Sequence, residues 1–226
     1  MPCADNVWID ALAYDAWFDT PWGRYAAGVE TGAVLRALGN IEGAVAIDVG
    51  CGTGRLTGIL AAAGARIIGV DSGPAMLDIA RHRVDLLVSA DALVLPIRDN
   101  SVDIALAVTV LEFIADPPAA MAELARIVRP GGCILIGALN PRSAWGLAHR
   151  HDFTAPPWNA ARFLARHELY DLAAPYGNAT LHSVLYAPGA LPLLEFSGPV
   201  FEHFGRAMPG IGAFRILIVE TTRTEC

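Results

Sequence analysis

Short apolar runs alternate with stretches of helical periodicity from about residue 44 onward. Five runs rich in valine, isoleucine, leucine and alanine occupy residues 44–49, 66–70, 85–89, 102–108 and 133–137. Segments with apolar residues at helical spacing lie between most of them. Alternation of this kind predicts β-α units around a mostly parallel sheet, so the pattern assigns the chain to the α/β class.

The predicted helices carry their own start and stop signals. Residues 56–63 and 74–81 follow the first two strands, and Pro74 suits the first turn of a helix. A third helix begins at residues 116–118, Asp-Pro-Pro, with an acidic cap and proline in its first turn. This helix places a set of apolar side chains on one face: Ala120, Met121, Leu124, Ile127 and Val128. Residues 129–132, Arg-Pro-Gly-Gly, then end it.

The two ends of the chain differ from this middle part. Residues 5–38 combine a helical pattern with an aromatic cluster, whose members are Trp8, Tyr14, Trp17, Phe18, Trp22 and Tyr25. After Asn140 the chain is rich in proline, histidine and aromatic residues, with a predicted helix at 159–174 and predicted strands at 181–186 and 214–221. We expect one domain with three parts, which are an N-terminal helical segment (1–40), a core (44–139) and a C-terminal segment (140–226).

Composition narrows the class of partner. The chain has 226 residues, of which 54% are hydrophobic and 17% charged, and its formal net charge is -7. So apolar a composition argues against disorder, and the acidic balance argues against nucleic acid or anionic lipid as a partner. A small-molecule partner is therefore expected.

No segment indicates export, membrane insertion or a metal site. The N-terminal residues have no basic run with an apolar stretch behind it, as a secretory signal would. Apolar stretches such as 102–115 and 133–139 are interrupted by charge or shorter than the roughly 20 residues of a membrane-spanning helix. We expect a cytoplasmic protein. The four cysteines are far apart, which favours free thiols over zinc ligands or disulfides: Cys3, Cys51, Cys133 and Cys226.

The strongest chemical signal lies between the first predicted strand and the helix after it, where residues 48–54 read D-V-G-C-G-T-G. Glycines at such a turn permit positive φ and let a ligand approach the main chain, while the helix start offers unpaired N–H groups to an anion. This describes a nucleotide-type cofactor site at the carboxyl edge of a parallel sheet. A dinucleotide fingerprint G-x-G-x-x-G starting at Gly50 would require glycine where Arg55 stands, which disfavours an NAD-dependent oxidoreductase.

Further motifs follow in a consistent order. Val70-Asp71-Ser72 ends the second predicted strand, residues 89–92 (Ser-Ala-Asp-Ala) end the third, and residues 95–97 and 100–103 precede the fourth. Together with the glycine turn and the Arg-Pro-Gly-Gly segment, they resemble the class I S-adenosylmethionine-dependent methyltransferases, particularly the type 11 group, over residues 45–139. The resemblance implies a doubly wound, mostly parallel seven-stranded sheet with a reversed C-terminal hairpin, and S-adenosyl-L-methionine as cofactor.

The resemblance also assigns a physical role to each motif. The methionine carboxylate faces N–H groups after Gly52, and the ammonium faces the Gly50 carbonyl and a carbonyl near Thr109. Asp71 accepts hydrogen bonds from both ribose hydroxyls, and Asp91 accepts one from the adenine amino group. The full set of expected cofactor contacts is Tyr14, Asp48, Gly50, Cys51, Gly52, Asp71, Ser72, Met76, Asp91, Ala92 and Thr109. Structural alternatives are a helix cap for Asp71, a turn for Asp91 and a small filler for Cys51.

Methyl transfer needs little from side chains beyond alignment and exclusion of water, so no signature catalytic residue is required. Weak candidates for a base are Glu112, His149 and His151, although a single histidine is more typical of a surface or packing position. In the family a histidine often follows the leucine at this place, and Leu111-Glu112-Phe113 departs from that pattern.

The two end segments suggest how the ligands are covered. Residues 14–18 resemble the opening helix of the family, which covers the cofactor as a lid, although an aromatic cluster also suits a core. The C-terminal segment would then cover the substrate, and its aromatic residues favour a small apolar or aromatic methyl acceptor. The alternatives are a non-catalytic S-adenosylmethionine-binding module and, less favoured, the NAD-dependent oxidoreductase.

Overall fold

The computed structural model describes residues 10–149, 151–152, 158–189, 194–205, 207–208 and 210–222. These residues form a sheet of seven strands, which in order across the sheet are β3 (Leu87–Ser89), β2 (Arg66–Asp71), β1 (Val45–Val49), β4 (Val102–Val108), β5 (Val128–Leu139), β7 (Phe214–Thr221) and β6 (Gly177–Val184). Neighbours from β3 to β5 are parallel, whereas β7 runs antiparallel to both β5 and β6. The sheet confirms the predicted α/β fold with its reversed final hairpin.

The strand order places the crevice beyond β1 and β4 and the start of β7 at the same edge of the sheet. From β1 the chain winds outward through β2 to β3 and then returns to β4 on the other side of β1. Such a reversal opens a crevice beyond the carboxyl ends of the strands, where ligands of doubly wound proteins bind. Because β7 is antiparallel, its first residue, Phe214, pairs with Leu139 at the end of β5. The start of β7 therefore lies at this same edge.

Helices cover both faces of the sheet. They are α1 (Ala11–Trp17), α2 (Pro21–Leu38), α3 (Arg55–Ala62), α4 (Pro74–Ala80), α5 (Pro117–Ile127), α6 (Ala144–Ala148), α7 (Arg166–Ala173) and α8 (Leu194–Gly205), with 3₁₀ turns at Leu111–Phe113 and Trp158–Ala160. The start of α5 agrees with its predicted cap, since the Asp116 carboxylate accepts a hydrogen bond from the Ala119 N–H at 3.0 Å. None of the helices in the described ranges is long and apolar enough to cross a membrane.

Neighbouring side chains of the strands enter two different cores, one on each face of the sheet. On one face Ile134 packs with α5 and α7, and on the other Leu135 packs with α2 and α3. The predicted apolar face of α5, which includes Met121 and Leu124, is buried in the first of these cores. Of the cysteines, Cys51 and Cys133 are free thiols, while Cys3 and Cys226, like Trp8, lie outside the described residues.

The predicted helix at 159–174 is wrong in its first half, because α7 begins only at Arg166. The preceding residues are held by contacts to distant parts of the chain. The Arg162 N–H donates to the Glu112 carbonyl oxygen at 2.7 Å, and the Leu164 side chain is buried in the core with α5. These tertiary contacts override the local helical pattern.

Other boundaries and elements also differ from the sequence prediction. β3 spans only Leu87–Ser89 instead of 85–89. β5 begins at Val128 instead of residue 133, with irregular pairing to β4 next to the Arg-Pro-Gly-Gly segment, where Gly131 has a φ of +78°. β6 spans Gly177–Val184 instead of 181–186, because Leu185 adopts a φ of +64° and leaves the strand. The short helix α6 and the 12-residue helix α8 have no counterpart in the sequence prediction.

Candidate functional site

The glycine turn between β1 and α3 depends on backbone conformations that favour glycine. Gly50, Gly52 and Gly54 have φ angles of +75°, +54° and +77°. A Cβ atom on Gly50 would lie 2.4 Å from Cγ2 of Val110, so no other residue fits there without displacement. The N–H groups of Gly50 and Cys51 both donate to the Val70 carbonyl oxygen, at 2.7 and 2.9 Å. The turn is therefore attached to the carboxyl end of β2.

Asp71, the last residue of β2, connects the turn with the start of α4. Its Oδ2 accepts a hydrogen bond from the Gly52 N–H at 2.8 Å, and its Oδ1 accepts one from the Gly73 N–H at 2.7 Å. Each carboxylate oxygen has two lone pairs, so both can still accept a ligand hydroxyl. Ser72 is exposed and Met76 half-buried beside it. Asp71 thus has a structural role as well as free capacity to bind.

Asp91 lies beyond the end of β3 and is exposed. Its Oδ1 accepts a hydrogen bond from the Leu93 N–H at 2.9 Å, and its carbonyl accepts one from the Val94 N–H at 3.0 Å. This is the turn that the sequence offered as the structural alternative. Asp71 pairs with Ser89 across β2 and β3, which puts Asp91 and the half-buried Ala92 further along the same edge.

Two buried groups lie beneath the turn. Burial raises the pKa of Asp48 to about 6, partly offset by the Thr57 hydroxyl, which donates to its Oδ2 at 2.6 Å. Burial also raises the pKa of the Cys51 thiol, and the nearby Asp48 and Asp71 carboxylates raise it further. A thiol in this state is a poor nucleophile, which agrees with a structural filler.

Helix α1 lies over the turn and is attached to it by ion pairs. A Cβ atom on Gly52 would lie 3.6 Å from Cε1 of Tyr14. On the next residue, Asp15, one carboxylate oxygen is 2.8 Å from Nε of Arg55 and the other 2.8 Å from Nη2 of Arg83. Arg83 also donates to the Thr53 carbonyl oxygen at 2.8 Å. These arginines hold the pKa of Asp15 well below its usual range.

Sequence reasoning missed this network, because its members are far apart in the chain. Asp15 is 40 residues from Arg55 and 68 residues from Arg83. Arg55 attracted notice only as the residue that breaks the dinucleotide fingerprint. An ion pair between distant positions leaves no periodic signal, so a single sequence could not have shown that these three residues meet.

A cleft of about 650 Å³ lies between the two N-terminal helices and the turn. Tyr14, Asp48, Gly50 and Thr109 line it, as does Glu30 of α2, which the sequence did not single out. Burial raises the pKa of Glu30 to about 8. The carboxyl groups of Asp48 and Glu30, whose ionised forms are disfavoured by burial, therefore both face the cleft. A positively charged ligand in the cleft would favour their ionised forms.

Thr109 continues from the end of β4 into this cleft with a φ of +50°, rare for a residue with a side chain. Its N–H donates to the Gly137 carbonyl oxygen of β5 at 2.8 Å. This bond keeps the chain after β4 close to β5.

The three candidate bases lie elsewhere. Glu112 is buried, with its Oε1 accepting from the Leu139 N–H at 2.8 Å, and its Oε2 has no hydrogen-bond partner among the described residues. Burial raises its pKa to about 7. His149 stacks on Trp145, and its Nδ1 is 2.9 Å from that residue's carbonyl oxygen, while His151 is exposed. None of the three lines the cleft, and a catalytic role for them stays a prediction.

Comparison with known proteins agrees with this geometry. The family model of the methyltransferase domain matches residues 47–136. An uncharacterised protein of Mycobacterium tuberculosis is 34% identical over 179 residues, covering 78% of this chain and 61% of that protein. Malonyl-[acyl-carrier protein] O-methyltransferase of Serratia marcescens is 33% identical over 141 residues, covering 59% of this chain and 55% of that enzyme. A solved S-adenosylmethionine-dependent methyltransferase of Thermotoga maritima has a TM-score of 0.75 and 26% identity, covering 93% of this chain and 95% of that chain.

The fold and the cleft define a protein of the class I methyltransferase type. Within that class, residues 47–136 match the model of the type 11 methyltransferase domain, and the chain as a whole is similar to a solved S-adenosylmethionine-dependent methyltransferase. It spans about three fifths of the length of the first curated relatives that it matches, 61% in the mycobacterial case. The activity and substrates of those longer proteins therefore do not transfer to this chain directly.

Proposed function

We propose that this protein transfers a methyl group from S-adenosyl-L-methionine to a small-molecule acceptor. The observation that supports the proposal most is the position of Asp71. Its carboxylate bridges the glycine turn and the start of α4 at the crevice edge, with lone pairs left for two hydroxyl groups. A helix cap alone would not require the bond to Gly52, which is 19 residues away in the chain.

The polar groups of the turn suit the amino-acid part of the cofactor. The N–H groups of Gly52 and Gly54 already donate to Asp71 and to the Cys51 carbonyl, at 2.8 and 2.9 Å. In our proposal the N–H groups of Thr53 and Arg55, at the positive end of α3, receive the methionine carboxylate. The carbonyl oxygens of Gly50 and Thr109 accept from the ammonium.

The remaining contacts follow the sheet edge outward. Asp71 holds the ribose, Ser72 and Met76 flank it, and Asp91 with Ala92 contacts the adenine. The buried carboxyl groups of the cleft fit the cationic end of the cofactor, since a positive charge beside them offsets the cost of their ionisation. When bound, S-adenosylmethionine supplies an electrophilic methyl group.

Helix α1 acts in this proposal as the cover that excludes water. Tyr14 lies over the turn, and the ion pairs of Asp15 keep the helix there. Exclusion of water and alignment of the reacting atoms supply most of the catalysis that a methyl transfer needs. The acceptor is a small apolar or aromatic molecule, supported by the aromatic stack of Trp158 and Phe163, whose ring centroids are 6.3 Å apart.

Calorimetric titration with the product, S-adenosylhomocysteine, tests the cofactor part of this proposal. The parent protein binds it, and Asp71→Asn weakens binding roughly tenfold to a hundredfold, since a charge-assisted contact becomes neutral. Asp78→Asn is the matched control and should leave the affinity unchanged, because this exposed aspartate of α4 forms a surface ion pair with Arg81. Equal affinity in the parent and Asp71→Asn would contradict the ribose assignment.

Transfer of a labelled methyl group to a panel of small acceptors tests the reaction itself. Methylation of any acceptor in the panel would support the proposal that the protein is a methyltransferase. Tight binding of S-adenosylhomocysteine with no transfer across the panel and cell extracts would instead support the non-catalytic binding module. Preferential binding of NAD over S-adenosylhomocysteine would support the oxidoreductase and overturn the proposal.

A further inference from the structure

A second cavity, of about 230 Å³, lies where β5 ends and β7 begins. Its lining includes Asn140, Arg142, Leu164, Arg166, His167 and Arg215. We call it the arginine pocket. None of the described residues that line it is an aspartate or glutamate, although the protein has a net charge of -7.

Arg215 is the residue that makes this pocket chemically distinctive. It is only 7% exposed, yet its Nη1 makes a long hydrogen bond of 3.3 Å to the Leu164 carbonyl oxygen. Its Nε is buried and has no hydrogen-bond partner among the described residues. An arginine side chain keeps its charge in proteins, and a buried charge without a partner is strongly unfavourable. The free protein therefore leaves this guanidinium short of acceptors.

The surroundings add positive charge to the pocket. None of Arg142, Arg166 and Arg215 takes part in a salt bridge among the residues that the structure describes. Burial lowers the pKa of Arg215, and repulsion from Arg166 and Arg142 lowers it further. Glu168, on the first turn of α7, is engaged by the Arg162 guanidinium and by the Ala165 N–H.

The backbone favours an anion in the same place. Helix α7 begins at Arg166, so the positive end of its dipole is at the pocket lining. Asn140 closes the other side. Its Nδ2 donates to the carbonyl oxygens of Gly210 and Gly212 at 3.0 Å each, and its Oδ1 accepts from the Arg142 N–H at 3.1 Å. The position of Arg142 is thereby set by the end of β5.

We propose that the arginine pocket binds the carboxylate or phosphate group of the methyl acceptor. Guanidinium groups match the geometry of both oxyanions with paired hydrogen bonds. The pocket is too small for a drug-sized molecule, which suits one charged group of a larger ligand. This inference rests on the proposed function and adds to its acceptor an anionic group beside the apolar or aromatic part.

The sheet links this pocket to the cofactor cleft. Thr109, which lines the cleft, donates its N–H to Gly137, and Asn140 follows three residues later in the pocket lining. The two spaces lie at the carboxyl ends of two adjacent strands, β4 and β5. An acceptor anchored by its anionic group can therefore extend toward the methyl donor.

The test measures anion binding without any turnover. Thermal unfolding is followed with inorganic phosphate, malonate or chloride at equal ionic strength, using the parent, Arg166→Gln, Arg215→Gln and the control Arg66→Gln. Arg66 is exposed at the amino end of β2, on the opposite edge of the sheet. We expect phosphate or malonate to raise the melting temperature of the parent and of Arg66→Gln above the chloride value. Phosphate acting more strongly indicates a phosphate-bearing acceptor, and malonate a carboxylate-bearing one.

The pocket variants decide the outcome. Arg166→Gln and Arg215→Gln should weaken anion binding roughly tenfold to a hundredfold. If Arg215→Gln does not fold, Arg166→Gln, at an exposed position, carries the test. No difference from chloride in the parent, or an equal effect in all three variants, would overturn the inference.

Binding of S-adenosylhomocysteine, measured on the same samples, separates this inference from the proposed function. If it binds the parent and Arg166→Gln equally but no anion effect exists, the arginine pocket is wrong and the cofactor proposal stands. If anions bind but S-adenosylhomocysteine does not, the pocket remains an anion site, its ligand is not a methyl acceptor, and the proposed function fails.

Discussion

Two parts of the sheet edge are built differently. Residues 45–108 carry most of the proposed cofactor contacts, and we call them the cofactor half. Residues 140–222 carry the proposed anion pocket for the acceptor, and we call them the acceptor half. In the cofactor half, the contacts are made mainly by backbone N–H groups of the glycine turn, which donate to Val70 and Asp71 of the adjacent strand. In the acceptor half, side chains connect segments that are distant in sequence. Asn140 bonds to Gly212, 72 residues away, and Arg215 bonds to Leu164, 51 residues away.

The carboxylate of Glu202 is a clear example of a side chain that connects distant segments. From α8 it accepts hydrogen bonds from the N–H groups of Leu185 and Tyr186, at 3.1 and 2.7 Å, just where β6 ends. It also accepts one from the Tyr25 hydroxyl of α2 at 3.3 Å. One side chain thus joins three separate segments. The difference teaches that the glycine turn is fixed by a short local motif, whereas residues 140–222 are joined by single side chains from distant segments.

The largest expected effect comes from the glycine turn. Gly50→Ala should destabilise the fold by about 4 kcal/mol, because its Cβ meets Val110 at 2.4 Å and the φ of +75° is unfavourable for alanine. Gly43→Ala is the matched control, with a similar φ of +74° but open space around the added atom. It should cost about 1 kcal/mol in chemical denaturation. Equal losses in the two variants would show that the contact with Val110 is unimportant.

The next effect tests the acceptor half. Asn140→Ala removes three hydrogen bonds at a fully buried position, for an expected loss of about 3 kcal/mol in the free energy of unfolding. Asn178→Ala, at an exposed position of β6, is the control and should change it little. Because the damage lies in the acceptor half, affinity for S-adenosylhomocysteine should stay within about twofold. A large loss of that affinity would mean that the two halves are coupled.

A smaller effect concerns pH. Burial raises the pKa of Glu112 to about 7 from its ordinary 4.5, so the folded protein keeps a proton there that the unfolded chain releases. The corresponding stability is fully present below pH 4.5 and is lost as the pH rises through 7. Glu112→Gln should therefore reduce the fall in stability between pH 5 and 8 by an amount on the order of 2 kcal/mol, as urea titrations would measure. An unchanged pH profile would contradict the raised pKa.

The smallest effect on stability is expected at the cover of the cofactor half. Asp15→Asn weakens partly exposed ion pairs to Arg55 and Arg83, which is worth about 1 kcal/mol or less in unfolding. Affinity for S-adenosylhomocysteine should fall more than stability does, because α1 is then free to leave the turn. Asp78→Asn again serves as control. A loss of stability with unchanged affinity would identify α1 as part of the core instead of a cover.

The sequence predicted the middle of the fold well, because its signals are local. The strands at 102–108 and 214–221 agree with the structure at both ends, and the apolar face of α5 is buried as its spacing required. The prediction failed for residues 159–165, where the helical pattern loses to the hydrogen bond of Arg162 and the burial of Leu164. A pattern predicts structure reliably only where distant contacts do not oppose it.

What the sequence by itself determined is the position of the glycine turn and of the acids at the ends of the second and third strands. These features depend on neighbouring residues, on backbone freedom at glycine and on alternation along a strand. Only the tertiary structure decided that Glu30 faces the cleft and that Asp15 meets Arg55 and Arg83. It also decided that Arg215 lies buried with no salt-bridge partner in the described part of the chain. The physical reason is that burial and pairing of charges depend on distances through space, which sequence spacing does not encode.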